Sequence, residues 1–205
     1  MILLGALGSS SSFAADDKLS KKDKRWLERE VGALITAEEV AIFEELDSKD
    51  RKLFKEIFWA RRDPSTMTPD NEVEEEFKKR MRVADDRFES QGRSGSATDM
   101  GKILILLGTP EDFGELWHGN LREDRLFSSS QDQTWKYAPN SDLGIPDGLT
   151  LEFRPQGGFG YRLVRTDEID AALARVKKRY TNPSINYRLS DGGRLPEADG
   201  RSRPQ

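Results

Sequence analysis

The sequence predicts an α+β domain, in which N-terminal helices pack on a small antiparallel β-sheet and a C-terminal helix closes the fold. Three observations predict this class. Apolar residues recur at helical spacing across residues 20–92, and they alternate with polar residues in three segments between 135 and 163. A capped amphipathic segment follows the last of them. This grouping of helices before strands is typical of α+β domains.

Two helices are predicted at the start of the domain. Ser20 can cap the first, which runs to about Gly32. Thr36 and Glu39 have the spacing of a capping box, in which the hydroxyl accepts the N–H of residue 39 and the carboxylate accepts the N–H of residue 36. We therefore expect the second helix to begin directly after Thr36.

Two longer helices are predicted next. One begins at Asp47 or Ser48 and ends at residues 62–64, because Pro64 lacks an amide donor and restricts the residue before it. Thr68-Pro69 predicts the next start, with threonine as the cap and proline at the first helical position. Gly92 is a candidate for the stop of this helix.

The back half of the sequence predicts strands. Residues 102–107, KILILL, form a continuous apolar run between Gly101 and Gly108, which is typical of a strand buried on both faces. Three half-buried strands follow, and Gln156-Gly157-Gly158 predicts a hairpin between the last two. Their alternating apolar residues are Trp135 and Tyr137, then Leu149, Leu151 and Phe153, then Phe159, Tyr161 and Leu163. Thr166 caps a final helix.

The two ends differ from residues 18–180, which are predicted to form a single domain. Residues 1–15 carry no charge and contain a short apolar run before Ser12-Phe13-Ala14, which resembles a signal-peptidase site. They predict either a signal peptide without its basic N-terminal region or a loose arm. Residues 181–205 are rich in Gly, Pro, Ser and Arg, and they predict a mostly disordered tail.

Composition excludes several kinds of site. The 205 residues include no cysteine and one histidine, which excludes disulfides, thiolate-bound zinc, iron–sulfur clusters and multi-histidine metal centres. We expect no cofactor and no metal. The formal net charge of −4 opposes binding to nucleic acid. The apolar run near the N-terminus is too short to span a bilayer, so no integral membrane segment is expected.

Several spaced motifs resemble the bacterial GWxTD domain. The naming element is Gly95-Ser96-Ala97-Thr98-Asp99, in which Ser96 stands where the family has its signature tryptophan. The resemblance covers roughly residues 20 to 165. Its other motif residues are Trp59, Arg62, Asp63, Pro64, Asn71, Glu72, Phe77, Arg80, Gly101, Gly108, Pro110, Trp135, Tyr137 and the segment 158–163.

The resemblance implies a location more than an activity. The family is one of unknown function, found mainly in exported proteins of Gram-negative and related bacteria. It therefore implies a periplasmic or secreted protein, with a cytoplasmic one as the alternative, and it supplies no reaction. The serine at position 96 indicates a divergent branch and removes any contact that an indole would make.

Two groups of motif residues are candidates for a site. The predicted helix–loop–helix corner contains Arg62, Asp63, Asn71, Glu72 and Arg80. Its arginines could grip an anion while a carboxylate acts as acid or base, or the same side chains could hold the corner through backbone bonds and ion pairs. Asp99 has the same two interpretations, as a catalytic carboxylate or as an acceptor of backbone N–H groups.

The long polar segment 113–133 adds two weaker candidates. It contains Trp117 and His118. A single histidine without a partner motif is a weak sign of catalysis. Trp117 could contact a partner or be buried against the sheet.

The sequence supports two alternative functions. The first is a non-enzymatic exported module that binds another envelope or secreted protein, because the sequence lacks a recognisable set of nucleophile, base and metal. The alternative is a carboxylate-dependent hydrolase of envelope glycan or another extracytoplasmic substrate, using Asp63, Glu72 or Asp99. Such chemistry needs two carboxyl groups about 5–10 Å apart across a cleft.

Overall fold

A computed structural model describes residues 19–65, 67–89, 92–112, 131–157 and 160–181. Within these ranges the fold is α+β, as predicted, with six α-helices and one three-stranded antiparallel sheet. The helices are α1 (Lys21–Arg25), α2 (Ala37–Glu45), α3 (Ser48–Ala60), α4 (Glu72–Phe88), α5 (Asp99–Leu107) and α6 (Asp167–Arg179). The strands are β1 (Gln133–Tyr137), β2 (Leu149–Pro155) and β3 (Tyr161–Leu163). The predicted signal segment, Trp117, His118, Phe159 and residues 182–205 lie outside the described residues.

Side-chain caps set four helix starts where the sequence predicts them. Ser20 caps α1, and Asp47 caps α3 by accepting two backbone amides at 2.8 and 2.9 Å. The capping box of α2 is complete, with hydrogen bonds of 3.2 Å from the Glu39 amide to Thr36 and 3.0 Å from the Thr36 amide to Glu39. Thr166 caps α6. The first helix differs in its second half, where residues 26–30 form a π-helical turn.

The predicted start of α4 at Thr68-Pro69 is wrong. Asn71 is the cap, because its Oδ1 accepts the Glu74 amide at 3.0 Å and its Nδ2 donates to the Trp59 carbonyl at 2.8 Å. Asn71 thus joins the start of α4 to the end of α3. The predicted stop at Gly92 is also wrong, since α4 ends at Phe88.

The segment KILILL is a helix and not a buried strand, so that prediction is wrong. Thr98 caps α5 by accepting the Gly101 amide at 3.0 Å, and Gly108 ends the helix with a φ of 79°. Seven of the nine helical residues are buried, so the apolar run shows no amphipathic period. A short apolar run of this kind does not distinguish a buried strand from a buried helix.

The buried helix α5 organises the core. It packs against α4 and also contacts β3 and α6. The sheet has the order β1-β2-β3, with Trp135 opposite Leu151 and Phe153 opposite Leu163. Trp135 lies 4.8 Å from Phe153 between ring centroids, which places these aromatic residues in the core. The three half-buried strands are therefore confirmed.

The N-terminal helices share an aromatic cluster. The ring of Trp26 lies 5.0 Å from Phe43 and 5.4 Å from Phe58, and Phe54 packs against the same group. Among the described residues, no helix is long and apolar enough to cross a membrane.

Candidate functional site

Arg62, the most buried of the motif side chains, lies at the end of α3. Its guanidinium is fully enclosed and bonds to Glu39 through Nη2–Oε2 at 2.7 Å and Nη1–Oε1 at 3.1 Å. The group also stacks 3.7 Å from the centroid of the Phe58 ring. Arg61 adds a contact of 3.1 Å to the same carboxylate. Arg62 therefore joins α3 to the start of α2 and has no open face for a ligand.

The remaining residues of the helix–loop–helix corner make mostly local bonds. Asp63 accepts the Ser65 amide at 2.9 Å, and Pro64 follows it in the loop. Trp59 packs edge-on against Phe77, with 5.5 Å between ring centroids. Glu72 is exposed at the first position of α4. The side chains of the corner therefore serve to join the end of α3 to the start of α4.

Arg80 connects α4 to the end of α5. Its Nε donates to Glu76 at 2.9 Å and its Nη1 to the Ile105 carbonyl at 3.3 Å. The Gly108 carbonyl accepts a hydrogen bond of 3.1 Å from the Tyr137 hydroxyl, and burial raises the pKa of that phenol. Pro110 is buried in the following turn. Among the described residues, Glu72, Glu76 and Arg80 also line a small pocket of about 150 Å³.

The naming element forms a tightly packed turn before α5. A Cβ added to Gly95 would collide with the carbonyl of Ala84, and one added to Gly101 would collide with the carbonyl of Gly95. Thr98 stabilises the turn by donating to the Gly95 carbonyl at 2.6 Å. Ser96 is 2% exposed, so the position of the family's tryptophan lies inside the protein.

Asp99 differs from the other motif carboxylates, Asp63 and Glu72, because it borders the larger of the two described cavities. Its Oδ2 accepts the Leu163 amide at 3.0 Å, which ties the start of α5 to β3. The cleft has a volume of about 800 Å³ and lies between the start of α2, one face of α5, the end of β3 and α6. Asp63 and Glu72 do not line it.

The cleft has an apolar floor and a charged rim. The floor is formed by side chains from four elements and from the loop before α2: Ala33, Ile42, Ile103, Leu106, Leu163 and Leu173. The rim carries Arg61, Lys102, Arg165, Lys177 and Lys178 as cations, against Glu38, Glu39, Asp99 and Asp170 as anions. Glu39 is bound by Arg61 and Arg62, which directly follow α3, and Asp170 pairs with Arg165 at 2.6 Å.

Lys177 is the most perturbed cation of the cleft. Its Nζ donates to the Ile35 carbonyl at 2.8 Å, which holds α6 to the loop before α2. Burial, followed by the charges of Lys102 and Arg165, lowers the pKa of Lys177 to about 8. Its ammonium is therefore poorly compensated, and an anion in the cleft would stabilise it.

Neither Lys102 nor Lys177 was a candidate from the sequence alone. Lys177 stands in the run Lys177-Lys178-Arg179, which looks like the ordinary basic end of a helix. Lys102 gave a better signal, since it is the one polar residue in an otherwise apolar segment that is buried in the fold. No metal-binding group of His, Asp or Glu side chains occurs in the described part of the chain.

Comparisons of the chain with family models, with curated proteins and with solved structures found no match, so the resemblance to the GWxTD family stays a prediction from the motifs.

Proposed function

We propose that this domain is a non-enzymatic binding module whose cleft takes an exposed segment of another protein. The cleft itself carries the proposal, because it combines an apolar floor with Lys177, whose charge is opposed more by Lys102 and Arg165 than it is offset by Glu39. Its volume of about 800 Å³ suits a few side chains of a peptide. An apolar side chain would contact the floor while polar groups of the segment meet the rim.

The motif arginines support binding in the cleft over binding at the helix corner. Arg62 is enclosed by Glu39 and Phe58, and Arg80 is bonded to Glu76 and to a backbone carbonyl. The guanidinium of Arg62 is closed to a ligand, and that of Arg80, although partly exposed, is held by these two bonds. The corner then serves to position α2, whose first turn forms one wall of the cleft.

The placement of the three candidate carboxylates favours binding over hydrolysis. Asp63 accepts a loop amide, Glu72 lies at the exposed start of α4, and Asp99 accepts the Leu163 amide. Only Asp99 of the three borders the large cleft. A glycosidase needs a facing pair of carboxyl groups, and two of the three other acids that line the cleft, Glu39 and Asp170, are paired with arginines. The hydrolase remains the alternative function, and turnover of an envelope glycan would favour it.

We also propose that the domain is an exported GWxTD-type protein that meets an envelope or secreted partner. This part rests on the spaced motifs and on the apolar, charge-free residues 1–15. Terminal sequencing of the mature native protein checks it, with Ala15 as the expected first residue. A mature chain that begins at Met1 would count against export through this segment.

Two alanines of α6 allow a matched test of the cleft. Ala174 lines the cleft and Ala171 lies one turn away on the same helix, and both are exposed. We expect Ala174→Trp to fill the cleft and abolish capture of a partner from a periplasmic fraction, while Ala171→Trp leaves capture intact. Capture that survives Ala174→Trp would contradict the proposal, since the partner would then bind elsewhere.

A further inference from the structure

We infer that Lys102 and Lys177 form a carboxylate subsite in this cleft, and that the bound segment carries an acidic side chain beside an apolar one. The inference rests on the proposed function and adds the chemical class of the ligand. Three features of the described residues carry it: the engagement of the cleft's own carboxylates, the lack of ion pairs at the two lysines, and the adjoining apolar floor.

The carboxylates that could neutralise the lysines are mostly engaged elsewhere. Glu39 accepts four hydrogen bonds on its two oxygens, from the Thr36 amide and from three guanidinium nitrogens of Arg61 and Arg62. Asp170 pairs with Arg165, and Asp99 accepts the Leu163 amide. The remaining acid, Glu38, is exposed at the start of α2. Among the described residues, the cleft therefore has more lysines without an ion pair than carboxylates without one.

The two lysines line the same cleft from different helices, Lys102 from α5 and Lys177 from α6. Within the described ranges, neither makes an ion pair. Lys177 uses one of its three donors on the Ile35 carbonyl, which leaves two for a ligand. Their charges repel each other, as the effect of Lys102 on Lys177 indicates. A carboxylate near both ammonium groups would remove this repulsion and accept charge-assisted hydrogen bonds.

The apolar floor favours a peptide ligand over a free anion. Ile103 and Leu106 on α5 and Leu173 on α6 line the same cavity as the lysines. A single inorganic ion would leave this apolar surface exposed to water. An acidic residue followed or preceded by leucine would cover the floor and place its carboxylate at the lysines.

The test uses two peptides that differ in one charge. Acetyl-Leu-Asp-Leu-amide and acetyl-Leu-Asn-Leu-amide are titrated into the full-length, isotope-labelled protein at pH 7, and the amide signals of Ile103 and Leu173 are followed. We expect the aspartyl peptide to bind about tenfold more tightly, as charge-assisted hydrogen bonds predict. Lys102→Gln should reduce this preference to about twofold or less, and Lys177→Gln should act in the same direction.

Control variants separate the inference from the proposed function. Lys52→Gln, at an exposed position of α3, should keep the tenfold preference. Equal binding of both peptides at the cleft signals, unchanged in Lys102→Gln, would overturn the carboxylate subsite and leave the binding cleft standing. Shifts caused by inorganic phosphate without shifts from either peptide would overturn both, because the cleft would then take a free anion. Because Lys177→Gln also removes the bond to Ile35, Lys102→Gln is the deciding variant.

Discussion

Arg62 and Glu39 form a two-point ion pair inside the protein, with nitrogen–oxygen distances of 2.7 and 3.1 Å. The same carboxylate completes the capping box of α2 by accepting the Thr36 amide. One side chain thus fixes both the start of α2 and its attachment to the end of α3. This arrangement explains why Arg62 is buried rather than available to a ligand.

Removal of Glu39 should be strongly destabilising. Glu39→Ala leaves the guanidinium of Arg62 buried without its partner, so we expect the free energy of unfolding to fall by about 3–5 kcal/mol. Glu38→Ala is the matched control, since Glu38 is exposed and should change stability by less than about 0.5 kcal/mol. Urea denaturation followed by circular dichroism measures both variants. Equal effects of the two substitutions would contradict the structural role of Glu39.

Gly95 of the naming element and Gly101 of α5 should each be intolerant of a single methyl group. Gly95→Ala and Gly101→Ala each place a Cβ against a backbone carbonyl, and we expect losses of about 2 kcal/mol or more. Gly157→Ala is the control, because a Cβ there meets nothing within 4 Å although φ is 52°. That variant should lose only about 1 kcal/mol. Losses at Gly95 and Gly101 no larger than the loss at Gly157 would contradict the close packing of these two glycines.

Ser96 should not accept the tryptophan that the family carries. The side chain is 2% exposed, so an indole would have to displace packed neighbours. We expect Ser96→Trp to cost about 1–3 kcal/mol, the usual range for overpacking. Ser96→Ala should change stability little, because among the described residues the hydroxyl makes only a long contact of 3.4 Å to Ser94. A Ser96→Trp protein more stable than the natural one would instead reveal room for the indole.

Local signals predicted much of the fold. Thr36 with Glu39, Asp47 and Thr166 were identifiable as caps because each cap depends on residues only two or three positions apart. The strands around Trp135 and Leu151 were predictable because one face of each is buried and alternation survives. The start predicted at Thr68-Pro69 was wrong because the actual cap, Asn71, is fixed by a bond to Trp59, which is distant in the sequence.

Long-range packing explains what the sequence could not predict. Gly101 looked like a strand boundary, but it lies within α5. Glycine is required there because the carbonyl of Gly95 approaches it too closely for a Cβ. The cleft joins Lys102 to Lys177, which lie 75 positions apart in the numbering (177 − 102). No local motif signals such a pair. Asp99 was identified as a candidate, whereas its border with the cleft depends on the fold.

Tyr137 should make the protein less stable above about pH 10. Burial raises the pKa of its phenol in the folded state, so the unfolded chain loses the proton first, near the ordinary value of 10.0. Stability is therefore retained below pH 10 and falls as pH rises beyond it. Tyr137→Phe should flatten that fall and cost about 1 kcal/mol at pH 7 through the lost bond to Gly108. Tyr180→Phe should keep the fall, and a curve for Tyr137→Phe parallel to the natural protein's would contradict the assignment.

Lys177 should make the protein more stable as pH rises from roughly 7 to 9.5. Its pKa is about 8 in the folded state against 10.5 ordinarily, so between these values the unfolded chain binds more protons than the folded one. Unfolding therefore becomes harder as pH rises, and we expect a gain of about 2 kcal/mol between roughly pH 7 and 9.5 from this group. Lys177→Met should remove that gain, while Lys178→Met at the exposed neighbouring position should keep it. Urea denaturation at several pH values measures the slopes. Parallel curves for the natural protein and Lys177→Met would contradict the prediction, because a lysine exposed to solvent would not titrate in this range.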